Sequence, residues 1–180
     1  MDSKYCILVD CDVAFLMKGW DERLLEIIDS GKTIVGCEYH DHMNLATHYN
    51  NFPNLIFSLF NLEKMRNANV VIEAIEGGTK LITKDMESIY NVSVGRYLSC
   101  DTGYSLPLQL QGQGLALKSV RGDGMKLLNR LDIRGNSVYL EHFLDNELIS
   151  VHLGESRRRK FNKDKCSRIW VDKVRKYLEL

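Results

Sequence analysis

From Lys4 to Val9 the chain is an almost unbroken run of apolar, β-favouring side chains, and it stops at two acids separated by a cysteine, Asp10-Cys11-Asp12. A short apolar run with such an end predicts a buried strand. The next segment, "GWDERLLEIIDSGK", places Leu24, Leu25, Ile27 and Ile28 at helical spacing, with Asp21 as the expected N-cap and Gly31 as the stop. "KTIVGCEY" reads as a second strand, "HDHMNLATHYNNFPN" as a polar loop, "LIFSLFN" as a third strand and "LEKMRNA" as a short helix.

The middle of the chain has a weaker pattern. "NVVIEAIEGGTKLI" fits a strand or a helix ending at Gly77-Gly78, and "TKDMESIYNVSVG" a helix capped by Thr83. "CDTGYSLPLQLQGQG" opens a helix near Asp101 and closes in glycines. "LALKSV", "NSVYLEHF" and the start of "ELISVHLGESRRRKF" predict strands. In the tail Cys166, Ile169, Trp170, Val174, Tyr177 and Leu178 share one helical face. Strands alternating with helices, and polar loops after strands, predict one α/β layered domain over residues 1–180.

Composition narrows the function classes. A hydrophobic fraction of 44% is enough to bury a core and excludes compositional disorder. Lys+Arg 24 against Asp+Glu 24 leaves no net charge, which argues against nucleic acid or anionic membrane as the main partner. The 5 cysteines are odd in number and form no CxxC pair, so buried free thiols in a reducing, cytoplasmic setting are expected. No apolar stretch approaches the roughly 18 residues needed to span a bilayer, and Asp10 and Asp12 interrupt the only signal-like run near the start.

The acids at the end of the first strand carry the most chemistry. Alternation points Asp10 and Asp12 to the same side, and like charges so close need compensation. A hard divalent ion such as Mg²⁺ or Mn²⁺ would supply it; a nucleophilic Asp10 or a plain strand-end cap are the alternatives. Asp101 at a helix start is kept ionised by the dipole and fits an N-cap, and His152 by itself fits an ordinary strand histidine. The run Arg157-Arg158-Arg159-Lys160, with Lys163 and Lys165, fits a solvated turn or a grip on phosphate oxygens. His40, His42 and His48 lack the frame of a zinc site. Tyr39, Tyr49, Phe52 and Tyr104 are either core and rim residues or aromatic faces of a pocket.

Two enzyme classes place D-x-D after a hydrophobic strand. The haloacid-dehalogenase-like phosphatases put it near the N-terminus with the first Asp as nucleophile, but Ala14 stands where that motif has Thr or Val, and "RGDGMKLLN" holds Asp123 without a partner acid. The chain resembles the GT-A-type nucleotide-sugar glycosyltransferases over more of its length. "ILVDCDVAFLMKGWDERLLE", "NLIFSLFN", "CDTGYSL" and "SVHLGESR" resemble, in order, the D-x-D strand with its following helix, the central strand ending in Asn, the acid-bearing helix start, and the late His with its basic loop.

That resemblance implies a GT-A-like, Rossmann-like mixed sheet flanked by helices. It also implies Mn²⁺ or Mg²⁺ held by Asp10, Asp12 and His152, and Asp101 as the base acting on a glycan or other hydroxyl acceptor. Asn61, Gly103, Ser156 and Arg157 would line the nucleotide-sugar donor. In this fold the D-x-D follows a nucleotide-binding half, whereas only nine residues precede Asp10. The expectation is therefore a front-truncated domain that pairs with itself or with a missing N-terminal half. A non-catalytic binding or assembly module is the other outcome of such a truncation.

Overall fold

A computed structural model describes residues 3–38, 52–72, 78–90, 93–99, 103–121, 140–153 and 163–178. The described strands are β1 (Tyr5–Val9), β2 (Val13–Phe15), β3 (Ile34–Glu38), β4 (Pro53–Asn61), β5 (Thr79–Leu81), β6 (Tyr97–Ser99), β7 (Gly114–Arg121), β8 (Leu140–Leu144) and β9 (Glu147–His152). The described helices are α1 (Trp20–Asp29), α2 (Leu62–Asn67), α3 (Lys84–Tyr90), α4 (Leu106–Gln109) and α5 (Lys163–Leu178). The cysteines in these segments differ from expectation: Cys37 is a buried thiol, but Cys6 and Cys11 are exposed. No described helix is long and apolar enough to cross a membrane.

Seven strands form a mixed sheet in the order β1-β4-β3-β7-β8-β9-β2. Only β3 and β7 run parallel; every other neighbouring pair is antiparallel. β7 belongs to both halves, because Gly114–Leu117 pairs with β3 while Lys118–Arg121 pairs with β8. β5 and β6 make a separate two-stranded ribbon.

Strand alternation sends the central side chains to two cores. Val35 and Leu59 pack with Leu24 and Ile28 of α1, while Ile34 and Phe60 pack with Met65 of α2, Met86 and Tyr90 of α3, and Leu106 of α4. Helices therefore cover both faces, and the expected mixed sheet flanked by helices is present. β3 reads as a continuous apolar run because it lies between β4 and β7 and is covered on both sides.

Leu24 and Ile28 are four residues apart, so they share the buried stripe of α1, and each contributes about 1.5–3 kcal/mol on burial. The start of α1 differs from expectation. Gly19, in a left-handed conformation, occupies the N-cap, and Asp21 lies in the first turn, where its charge favours the helix dipole without capping it. The end is as expected: Gly31 takes φ 125°, which a side chain would resist, and the chain leaves the helix there.

The β8–β9 connection is a two-residue turn in which Asp145 and Asn146 have φ 51° and 67°. Positive φ at both positions suits the right-handed twist of a hairpin, and Asn and Asp tolerate it best. Arg23 of α1 bonds Asp145 (2.9 Å) and Glu147 across this turn. The guanidinium is held above its ordinary value chiefly by the Glu147 bond. This fork ties α1 to the hairpin whose second strand ends at His152.

Candidate metal centre

β1 and β2 stand at opposite ends of the strand order, yet three residues join them, Asp10, Cys11 and Asp12. The sheet must therefore curl until the end of β1 comes near the start of β2, and these residues make the turn between them. The amide of Val13 closes it on the carbonyl of Asp10 at 3.2 Å.

Antiparallel pairing of β2 with β9 then brings the far end of the chain to the same place. Val13 lies opposite His152, and the amide of Leu153 donates to the Asp12 carbonyl at 3.0 Å. His152 Nε2 lies 3.1 Å from Asp12 Oδ1 and 3.9 Å from Asp10 Oδ2. One ligand atom from each residue falls within 4.8 Å of the others. Side-chain exposure rises from 9% at His152 through 21% at Asp12 to 55% at Asp10, so the cluster has a buried floor and an open mouth.

The support behind the cluster is aromatic. Phe15 of β2 stacks on Trp20 with centroids 3.6 Å apart and meets Phe57 of β4 edge-on at 5.4 Å. Phe57 in turn meets His142 at 5.3 Å, and His142 Nδ1 lies 2.9 Å from the Ser150 hydroxyl of β9. Packing of this kind fixes β2 and β9 against the core and limits how far the ligands can drift.

The donor set fits a divalent cation. Two carboxylates suit a hard ion, and an imidazole moves the preference towards the transition metals, for which nitrogen ligands bind well. His152 Nε2 faces the acids, as a ligand nitrogen must. Its Nδ1 is buried without a hydrogen-bond partner among the described residues. The ring is thus oriented by packing and by the acids, not by the second hydrogen bond that usually fixes a ligating histidine.

The remaining residues singled out in the sequence are placed elsewhere or fall outside the described segments. Asn61 pairs with Tyr5, whereas Val9, next to Asp10, pairs with Phe57, so Asn61 lies roughly 13 Å along β4 from the cluster. It is buried, and its side chain caps α2 by accepting from the Lys64 amide at 3.0 Å. Gly103 has φ 78°, and a Cβ there would come within 2.7 Å of Leu55 Cδ1. Tyr104 and Phe52 are core residues: Tyr104 accepts the Tyr90 hydroxyl on its carbonyl, and Phe52 packs against Gly114. Asp101, Ser156 and Arg157 lie outside the described residues, as do Tyr39, His40, His42, His48, Tyr49 and the run 158–160.

β2 has no counterpart in the expectations from sequence. Three residues, Val13-Ala14-Phe15, are too few for a periodic signal, and the bracketing turn and helix obscure them. Yet this strand is what joins Asp12 to His152. No protein-family model, no curated protein and no solved structure matches this chain.

Proposed function

We propose that the chain is a GT-A-type glycosyltransferase domain, transferring a sugar from a nucleoside diphosphate donor to a hydroxyl acceptor. The observation that supports it is the meeting of the D-x-D acids with a histidine 140 positions later in one half-open cluster. Asp12 and His152, the less exposed members, would be the fixed ligands. Asp10 would complete the set at the open side, where the donor diphosphate arrives. A divalent ion bound there would supply Lewis-acid neutralisation of the charge that builds on the departing nucleoside diphosphate.

The residues of the chain have separable tasks in this reading. His152 and Asp12 hold their ligand atoms in place through the β2–β9 ladder. Asp101, carried by the resemblance, would take the proton of the acceptor hydroxyl. Calorimetric titration with manganese, alone and with UDP or GDP present, is the test. Metal binding that strengthens with nucleotide and is lost in Asp12→Ala is the expected result. Wild type and Asp12→Ala behaving alike, with no metal-dependent nucleotide binding, would overturn it. Beryllofluoride trapping with Mg²⁺-dependent phosphate-ester hydrolysis would instead point to Asp10 as a phosphatase nucleophile.

A further inference from the structure

β1 ends the sheet, with β4 on one side and no described strand on the other. It is apolar but barely covered: Ile7, Leu8 and Val9 are 37%, 42% and 39% exposed, and Cys6 is exposed too. An uncovered apolar edge of this kind is a template for pairing unless it is blunted. No charge interrupts Tyr5–Val9, and no proline or bulge does either.

The hydrogen-bond parity of the edge is defined. The Lys4 carbonyl accepts the Leu62 amide at 2.8 Å, which makes Lys4 and, by alternation, Cys6 and Leu8 the residues bonded towards the body of the sheet. Tyr5, Ile7 and Val9 then turn their amides and carbonyls outward. Two local contacts agree with this, since the Ser3 hydroxyl reaches the Tyr5 carbonyl at 2.6 Å and the Cys6 thiol the Ile7 carbonyl at 3.8 Å.

We propose that β1 pairs antiparallel with β1 of a second copy of this chain, about a two-fold axis at Ile7. The outward residues are symmetric about that position: Ile7 meets Ile7, and Tyr5 meets Val9 twice, with two hydrogen bonds in each pair. Shifting the axis by one residue either way removes one of these three pairs. The same register sets Cys6 beside Leu8 and Lys4 beside Asp10 of the second copy, at both ends. An apolar centre flanked by opposite charges is complementary to itself, as an isologous interface requires.

Lys4 is available for this exchange, since its present partners, the Tyr5 ring at 4.8 Å and Asp29 at 3.5 Å, hold it at the surface, where such contacts are weak. One strand pair buries little surface, so the dimer belongs to the weak, transient class. Only the charge of Asp10 enters the pairing, so a failed metal reading of that residue would leave it standing.

Sedimentation of the full chain from about 10 μM to about 1 mM should show a reversible monomer–dimer equilibrium. Ile7→Lys should weaken it at least tenfold. Ile7→Pro should abolish it while near-UV circular dichroism stays native, because the lost amide faces outward. Lys4→Glu should weaken the dimer and Lys4→Glu with Asp10→Lys should restore it, even though the doubly substituted chain loses a metal ligand. Register is read by Leu8→Cys, which should oxidise to a dimer linked through Cys6 and the new cysteine. A protein that stays monomeric throughout would overturn the proposal, as would a dimer indifferent to Ile7→Pro or a Cys6–Cys6 link. Slow amide exchange at Ile7 and Val9 in dilute monomer would also overturn it, since β1 would then be covered from within the chain.

Discussion

Asp12→Asn separates a metal centre from a structural hydrogen bond, because it removes a charge and keeps an acceptor for His152 Nε2 at 3.1 Å. In the metal-free protein the carboxylate oxygens of Asp10 and Asp12 lie no more than 4.8 Å apart. Two unit charges at that distance repel by about 0.9 kcal/mol in water and about 3.5 kcal/mol at an effective dielectric of 20. Asp10 is 55% exposed, which places the cost near the lower figure. Removing one charge relieves that repulsion but also gives up the charge that Asp12 presents to His152 at 3.1 Å, so without metal the variant should melt within about 2–4 °C of the wild type. Manganese should separate the two proteins. At about a hundred times its dissociation constant a cation adds about 2.7 kcal/mol to the wild type and little to the variant. Differential scanning calorimetry with EDTA and then with manganese gives both halves of the comparison. If manganese moves neither protein, the acids and His152 form a structural contact and the metal reading fails.

Three further outcomes check other parts of the structure. Asn61→Ala should cost about 1 kcal/mol by removing the cap of α2, and Asn61→Asp should recover most of it, whereas manganese affinity should be unchanged in both; a normal melting temperature for the alanine variant would refute the capping role. Gly36→Ala would bring a Cβ within 2.3 Å of the Phe57 carbonyl between two central strands, so chemical denaturation should show a loss of about 2 kcal/mol or more; full stability would mean that β3 and β4 are further apart. Asp29 is held below its ordinary 3.8 first by the Tyr5 hydroxyl and then by Lys4. Its contribution is thus complete above pH 3.8 and lost as the pH falls through the lower folded value; Asp29→Asn should flatten that acid limb of a stability–pH curve, and an unchanged limb would refute it.

The elements legible in the sequence are those whose signal is local. β1, β3 and β4 are apolar runs, although β1, expected to be buried, is an exposed edge strand; α1 carries its buried residues four apart, and α2 follows directly on its Asn61 cap. What was not legible depends on contacts distant in sequence. Asp21 has the right residue type for a cap, but Gly19 fits the left-handed turn that enters α1. Phe52 and Tyr104 could equally have been binding aromatics, and only packing against Gly114, Tyr90 and their neighbours makes them core. Nothing near Gly114–Arg121 says that one strand will serve two halves of a sheet. The acid pair was legible as a cluster of charge, whereas His152 was joined to it by resemblance alone, since residue spacing cannot reveal the β2–β9 ladder.

That ladder explains how the three side chains are brought together. Asp10 and Asp12 in a free loop would splay apart to relieve their repulsion. Here the chain has three residues to cross from one sheet edge to the other, and each end is fixed by a strand. β2 is held by the Phe15–Trp20 stack and by pairing with β9. β9 is held by the hairpin turn that Arg23 clamps to α1. The approach of the two acids is thus sustained in part by contacts that lie away from them. Because His152 closes the set from a buried position, a cation bound by these atoms would have little ordering left to impose, and its binding energy would not be spent on assembling the site.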